Sequence, residues 1–107
     1  MGKYIKLVVF VPLTHLEQVR SAVCSAGAGK IGNKYDQCTF STTGIGTFRP
    51  LKGAKPYLGK WNRMERVKEV RLETIVPVKS VKKVIHALIK AHPYEVPAYD
   101  LYPLINH

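Results

Sequence analysis

The sequence predicts an α+β fold of the ferredoxin-like kind, a βαββαβ sandwich in which two helices cover one face of a four-stranded antiparallel sheet. Three observations predict it. Strand-patterned and helix-patterned segments alternate in the order β, α, β, β, α, β. The first strand is apolar on both side-chain parities, as a central strand covered on two faces is. Each helical segment carries one apolar stripe, and right-handed crossovers put both helices on the same side of the sheet. A chain of 107 residues has one domain's worth of length, so residues 1–107 are expected to form a single domain.

Tyr4–Leu13 (YIKLVVFVPL) opens the order, dense in β-branched residues and apolar throughout from Leu7. Thr14 and Glu17 match a Thr-x-x-Glu capping box that starts a helix. Its apolar positions Leu16, Val19, Val23 and Ala26 fall three or four apart, and Gly27 ends it. Asp36–Thr43 alternates, with Cys38, Phe40 and Thr42 on one side; Gly44 and Gly46 are expected to loosen or bulge the strand before Phe48. Residues 49–65 contain two prolines and two glycines with no sustained period and read as a long loop. Val67–Val78 alternates again, with Val70, Leu72 and Val76 inward and Glu69, Arg71 and Glu73 on the open face. The second helix runs from about Ser80 to Ala91 on Val81, Val84, Ile85 and Leu88, until His92-Pro93 stops it. Val96–Leu104 is the last strand, and Pro97 and Pro103 push it to an edge. Strands one and three then lie side by side in the middle.

Composition excludes some function classes. A content of 46% hydrophobic residues excludes a disordered chain, and 17 Lys and Arg against 7 Asp and Glu give a net charge of +10. That balance suits nucleic acid, an anionic surface or a phosphorylated ligand. The apolar stretch Leu7–Leu13 is far short of the ~20 residues a bilayer span needs, and no small-residue cleavage site follows it. Cys24 and Cys38 lack metal-type spacing and are too few for a disulfide framework. A soluble cytoplasmic protein without membrane attachment is expected. Gly27-Ala28-Gly29-Lys30-Ile31-Gly32 spells G-x-G-x-x-G, but it follows a helix and precedes a strand, the reverse of a dinucleotide site. It reads as helix termination plus a turn, and no cofactor is expected.

The 49–65 loop is the main functional candidate. Arg49, Lys52, Lys55, Lys60 and Arg63 supply five positive charges, interleaved with Tyr57 and Trp61, and the only acid is Glu65 at the far end. Basic and aromatic side chains suit phosphate or base contacts. They suit packing against a neighbouring subunit as well. Lys79, Lys82, Lys83 and Lys90 along the second helix form either a solvated face or a nucleic-acid face. His92, Tyr94, Glu95 and Asp100 are secondary candidates. A metal needs several ligands converging, and one histidine with two acids across a proline-rich turn also fits a structural role. His15 and His86 show no obvious partner, and no nucleophile–base pair is legible.

Four runs together resemble something specific: GAGKIGNKYDQCTF (27–40), GIGTFRPLKGAKPYLGK (44–60), ERVKEVRLETIVP (65–77) and HPYEVPAYDLYPL (92–104). They resemble the inserted domain of the Nif-three-like (NGG-interacting-factor-like) family of dinuclear-metal proteins, and the family's short stand-alone relatives, over nearly the whole chain. The resemblance implies a PII-like or CutA-like βαββαβ domain in which the loop between strands two and three, here 49–65, responds to ligands and partners. It implies a homo-oligomer, a trimer before a dimer, whose assembly covers the open sheet face. The family's metals are held by flanking domains, so no metal ligand is carried over and hydrolase activity is not expected. Val96 stands where the family run has a second glutamate. The expected function is therefore a small, non-enzymatic binding or regulatory module, its basic loop taking an anionic small molecule such as a nucleotide, or a partner protein. The alternatives are a nucleic-acid-associated protein and a divalent-metal binder of the CutA kind using His92, Glu95 and Asp100.

Overall fold

The structure is a computed structural model that describes residues 3–105. Strand β1 (Tyr4–Pro12) is followed by a 3-10 turn (Leu13–His15) and helix α1 (Leu16–Ser25). Strands β2 (Thr39–Phe48) and β3 (Glu65–Pro77) come next, then a second 3-10 turn (Val78–Ser80), α2 (Val81–Ala91) and β4 (Ala98–Pro103). The sheet order is β2-β3-β1-β4, with every neighbouring pair antiparallel. This is the expected ferredoxin-like arrangement, with β1 and β3 central and the proline-bearing β4 at an edge.

Side-chain parity decides what each strand buries. Ile5, Leu7, Val9 and Val11 of β1 join Val70, Leu72 and Val76 of β3 beneath Val19, Val23, Val84 and Leu88 of the helices. Fully burying a leucine such as Leu7, Leu72 or Leu88 contributes about 1.5–3 kcal/mol. Val8, of the opposite parity, is also fully buried, which accounts for the apolar run on both faces of β1. Glu69, Arg71 and Glu73 lie on the face away from the helices. There Arg71 reaches Glu73 at 3.3 Å and its guanidinium stands 5.9 Å from the Phe10 ring centre. The molecule measures 47 × 22 × 22 Å, because the β2–β3 hairpin runs out beyond the helices.

Local chemistry explains the element ends, including those that differ from expectation. The Thr14–Glu17 capping box does not form. A 3-10 turn occupies Leu13–His15, His15 is the N-cap, Thr14 Oγ1 pairs with His15 Nδ1, and Glu17 pairs with Arg20 instead. Helix α1 closes in a Schellman motif, as Gly27 predicts: Gly27 (φ +125°) donates to Cys24 O and Ala28 donates to Val23 O at 2.9 Å. Gly29 (φ +80°) then hydrogen-bonds across to Ile75 and Cys38, and no helix begins at the glycine run. Strand β2 begins three residues later than expected and continues through both glycines in unbroken register, from Thr39 opposite Thr74 to Phe48 opposite Glu65. Gly44 and Gly46 therefore make no bulge. Strand β3 consequently starts at Glu65, and the loop is residues 49–64. β4 is shorter than expected, because the chain from Val96 to Pro97 remains in a turn. Cys24 is buried and Cys38 half-buried, both as free thiols, and burial pushes the Cys24 thiol pKa up.

Candidate functional site

The hairpin and the chain after α2 meet at one place. Helix α2 ends at His92 because the following Pro93 holds His92 in an extended conformation (φ −75°, ψ 135°). The imidazole is 6% exposed and fully paired: Nε2–H donates to Phe10 O at 2.8 Å, and Nδ1 accepts the Tyr94 N–H at 3.1 Å. A carbonyl only accepts, so the ring is the neutral Nε2–H tautomer. Burial pushes the His92 pKa below its ordinary value, against the opposing pull of the Phe10 carbonyl and Glu69.

His92 thereby fixes the direction of the turn that follows. Tyr94 lies beside it at a ring separation of 4.9 Å and donates its hydroxyl to Glu69 Oε2 of β3 at 2.7 Å. Burial, followed by the bond to Glu69, raises the Tyr94 phenol well above its usual range, so it remains a donor. Gly46 makes room for this pair: a β-carbon there would overlap Glu69 Oε1. The signal was present in the sequence. Glycine inside a strand marks a bulge or a close approach, and here it is the close approach.

The loop folds back onto the same turn. Its neck is closed by Asn62 N–H to Pro50 O at 2.6 Å, and the Trp61 indole N–H donates to Ala54 O at 2.8 Å. The Lys55 N–H donates to Glu95 Oε1 at 2.9 Å, tying the loop to the 92–98 turn. Tyr57 lies edge-on to His15 at 5.6 Å and 6.3 Å from Tyr94, while Phe48 stands 5.9 Å from Tyr94. Between loop and turn is a cleft of about 260 Å³. Its walls include Phe48, Tyr57 and Tyr94, the apolar Pro56 and Leu58, and three charged groups: Arg49, Glu69 and Glu95.

The structure thus joins two groups that sequence reading kept apart, bringing Arg49 and Tyr57 of the loop together with Tyr94 and Glu95 of the turn. Lys55 contributes its backbone, and its side chain is not among the cleft walls. Lys52, Lys60, Trp61 and Arg63 are exposed elsewhere on the loop. Asp100 is exposed on β4 opposite Val8. The candidate metal set of His92, Glu95 and Asp100 does not assemble. Both His92 nitrogens are engaged, and among the described residues no three His, Cys, Asp or Glu side chains converge as metal ligands. Sequence reading missed Phe48, Glu69 and His15 as parts of this region. Among the described residues, no helix is long and apolar enough to cross a membrane.

Comparison with known proteins adds descent to geometry. No family model matches the chain. A protein of Halalkalibacterium halodurans named "GTP cyclohydrolase 1 type 2 homolog" is 57% identical over 101 residues, which is 94% of this chain and 27% of that protein. The protein of the same name in Bacillus subtilis is 56% identical over 92% of this chain and 26% of its own length. The chain thus spans about a quarter of the curated relatives it matches. Among solved structures, a Bacillus cereus protein related to NIF3 superposes with a TM-score of 0.82 at 54% identity, over 96% of this chain and 26% of that one. CutA from Xylella fastidiosa gives a TM-score of 0.68 at 19% identity, covering 96% and 85% of the two chains. Arabidopsis thaliana PII bound to citrate gives 0.59 at 16%, covering 97% and 77%. The last two likenesses concern the fold alone.

Proposed function

Because this chain is a NIF3-family domain with the CutA- and PII-like fold, we propose that it is a single-domain, non-enzymatic, homo-oligomeric binding module whose 49–64 loop captures an anionic small molecule. The observation that carries this reading is the state of the loop's cations. Arg49, Lys52, Lys55, Lys60 and Arg63 are all exposed, and none forms an ion pair among the described residues. Five exposed cations free of ion pairs are open to a phosphate or carboxylate, since no existing pair must be broken before one is met. Through the Lys55–Glu95 bond, what binds the loop is felt in the turn that His92 and Tyr94 hold. A trimer, with a dimer as second choice, buries the part of the open sheet face where Phe40 and Tyr102 are exposed.

Native mass spectrometry of the untagged protein tests the reading. An oligomer carrying an anionic adduct that is lost when the five loop cations are replaced together by glutamine supports it. An adduct retained by that variant refutes the loop assignment, and a monomer refutes the oligomer.

A second reading rests on the loop's exposed apolar residues. Leu51, Trp61 and Met64 are 47–63% exposed and suit a partner protein. Nucleic acid rests on charge alone, with Lys82, Lys83 and Lys90 exposed along α2. Failure to bind oligonucleotides at low salt, where counterion release favours binding most, ends that alternative. The cyclohydrolase named in the relatives belongs to proteins of about three and a half times this length and is not proposed for this chain.

A further inference from the structure

We propose that the cleft between the loop and the 92–98 turn binds an organic cation, an alkylammonium or guanidinium group, as a site separate from anion capture on the outer loop. Its charge is opposite in sign to that of the chain. On a protein of net charge +10, the cleft walls carry the carboxylates of Glu69 and Glu95 against the single guanidinium of Arg49, and no lysine. Glu69 is half-buried and accepts one hydrogen bond, from Tyr94. Among the described residues no cation pairs with it, although 17 Lys and Arg were available to the sequence. A carboxylate in that state gains most from a donor that brings its own positive charge.

The remaining walls favour the same class of ligand. Phe48, Tyr57 and Tyr94 stand as tilted rings whose faces attract a cation through the ring quadrupole. Pro56 and Leu58 suit an aliphatic stem. An entering anion would meet two carboxylates and the same ring faces, with only the Arg49 guanidinium to set against them. The volume of about 260 Å³ falls just below the roughly 300 Å³ at which drug-sized pockets begin, so the occupant is the size of one basic side chain or a small amine. Placement of the carboxylate depends on Gly46, since any side chain there would displace Glu69.

A free amine and a Lys or Arg side chain on a peptide share this chemistry. The test uses NMR titration of the full chain with three probes: agmatine, a capped Gly-Arg-Gly peptide, and butyrate as an anion of similar stem. The amides of Phe48, Glu69 and Tyr94 report. Saturable shifts with agmatine or the peptide, and none with butyrate, are expected; the tighter of the two cations identifies the source. Glu69→Gln keeps the shape and an acceptor for Tyr94 and should weaken binding about tenfold, and Phe48→Leu several-fold. Glu73→Gln, which faces Arg71 outside the cleft, should bind as wild type does. Saturation by butyrate, absence of saturation by either cation, or equal affinity of Glu69→Gln and wild type overturns the proposal.

Discussion

Replacing Gly46 by alanine tests the architecture of the cleft through a residue that makes no side-chain contact of its own. Gly46 pairs with Val67 in an unbroken ladder, and its φ lies outside the left-handed region, so the backbone accepts alanine without strain. At such a position alanine gains about 0.5–1 kcal/mol over glycine by restricting the unfolded chain. Here the added methyl overlaps Glu69 Oε1. The carboxylate ends a flexible side chain and swings aside, which breaks the 2.7 Å bond from the Tyr94 hydroxyl. A hydrogen bond to a charged group is worth about 1.5–3 kcal/mol, and the lower end applies to a half-buried pair. The net result is a loss of about 0.5–1 kcal/mol. In a Glu69→Ala background nothing remains to be displaced, so the same substitution becomes stabilising by about 0.5–1 kcal/mol. Urea unfolding of the four proteins at one fixed protein concentration measures both steps, and a coupling of about 1.5 kcal/mol is expected. If Gly46→Ala has the same sign and size in both backgrounds, Glu69 is not what the glycine accommodates, and the account of the cleft is wrong.

Three further outcomes follow from the same geometry. His92 is neutral and its folded pKa is depressed by burial, so on acidification the unfolded chain takes up the proton first. Stability should therefore fall as pH drops through the ordinary histidine value of about 6.5 towards the lowered folded value, by at most about 1.4 kcal/mol per pH unit. His92→Asn should flatten that part of the urea-midpoint profile; an unchanged slope would place the titration on another group. Trp61→Phe removes the indole donor to Ala54 O and should cost about 1 kcal/mol locally, read as faster amide exchange across 50–62 with the core amides unaffected. Gly29→Ala combines a φ of +80° with a β-carbon 2.9 Å from Cys38 N, so a loss of about 2 kcal/mol or more is expected in thermal unfolding. A neutral result there would remove the structural explanation of the glycine run.

The fold was legible because it depends on short-range periodicity. The two parities of β1 and the stripes on α1 and α2 each follow from residues within one element. The misread boundaries share a cause, namely competition settled by contacts from elsewhere. Thr14 could have capped α1, but its hydroxyl turns to His15, whose ring is held against Tyr57 more than forty residues away. Gly44 and Gly46 weaken an isolated strand, yet ten residues of β3 lie opposite and carry the ladder through them.

The site was less legible for a related reason. Net charge is a sum over the surface, whereas a binding site is set by whichever few charges the fold encloses. The loop sequence 49–64 announces five cations, but Lys52, Lys55, Lys60 and Arg63 are exposed outside the cleft and only Arg49 is among its walls. Glu69 reads in sequence as one member of an alternating Glu69, Arg71, Glu73 row. The register puts it diagonally across from Gly46, and the turn set by His92 brings Tyr94 to it. Arg71 pairs with Glu73 on its other side, which leaves Glu69 with a phenol in place of a cation. One chain thereby presents a loop of exposed cations and, beside it, a cleft walled by two carboxylates, three aromatic rings and Arg49. Opposite ligand charges are expected to address loop and cleft, and the Lys55–Glu95 bond is the contact through which each would sense the other.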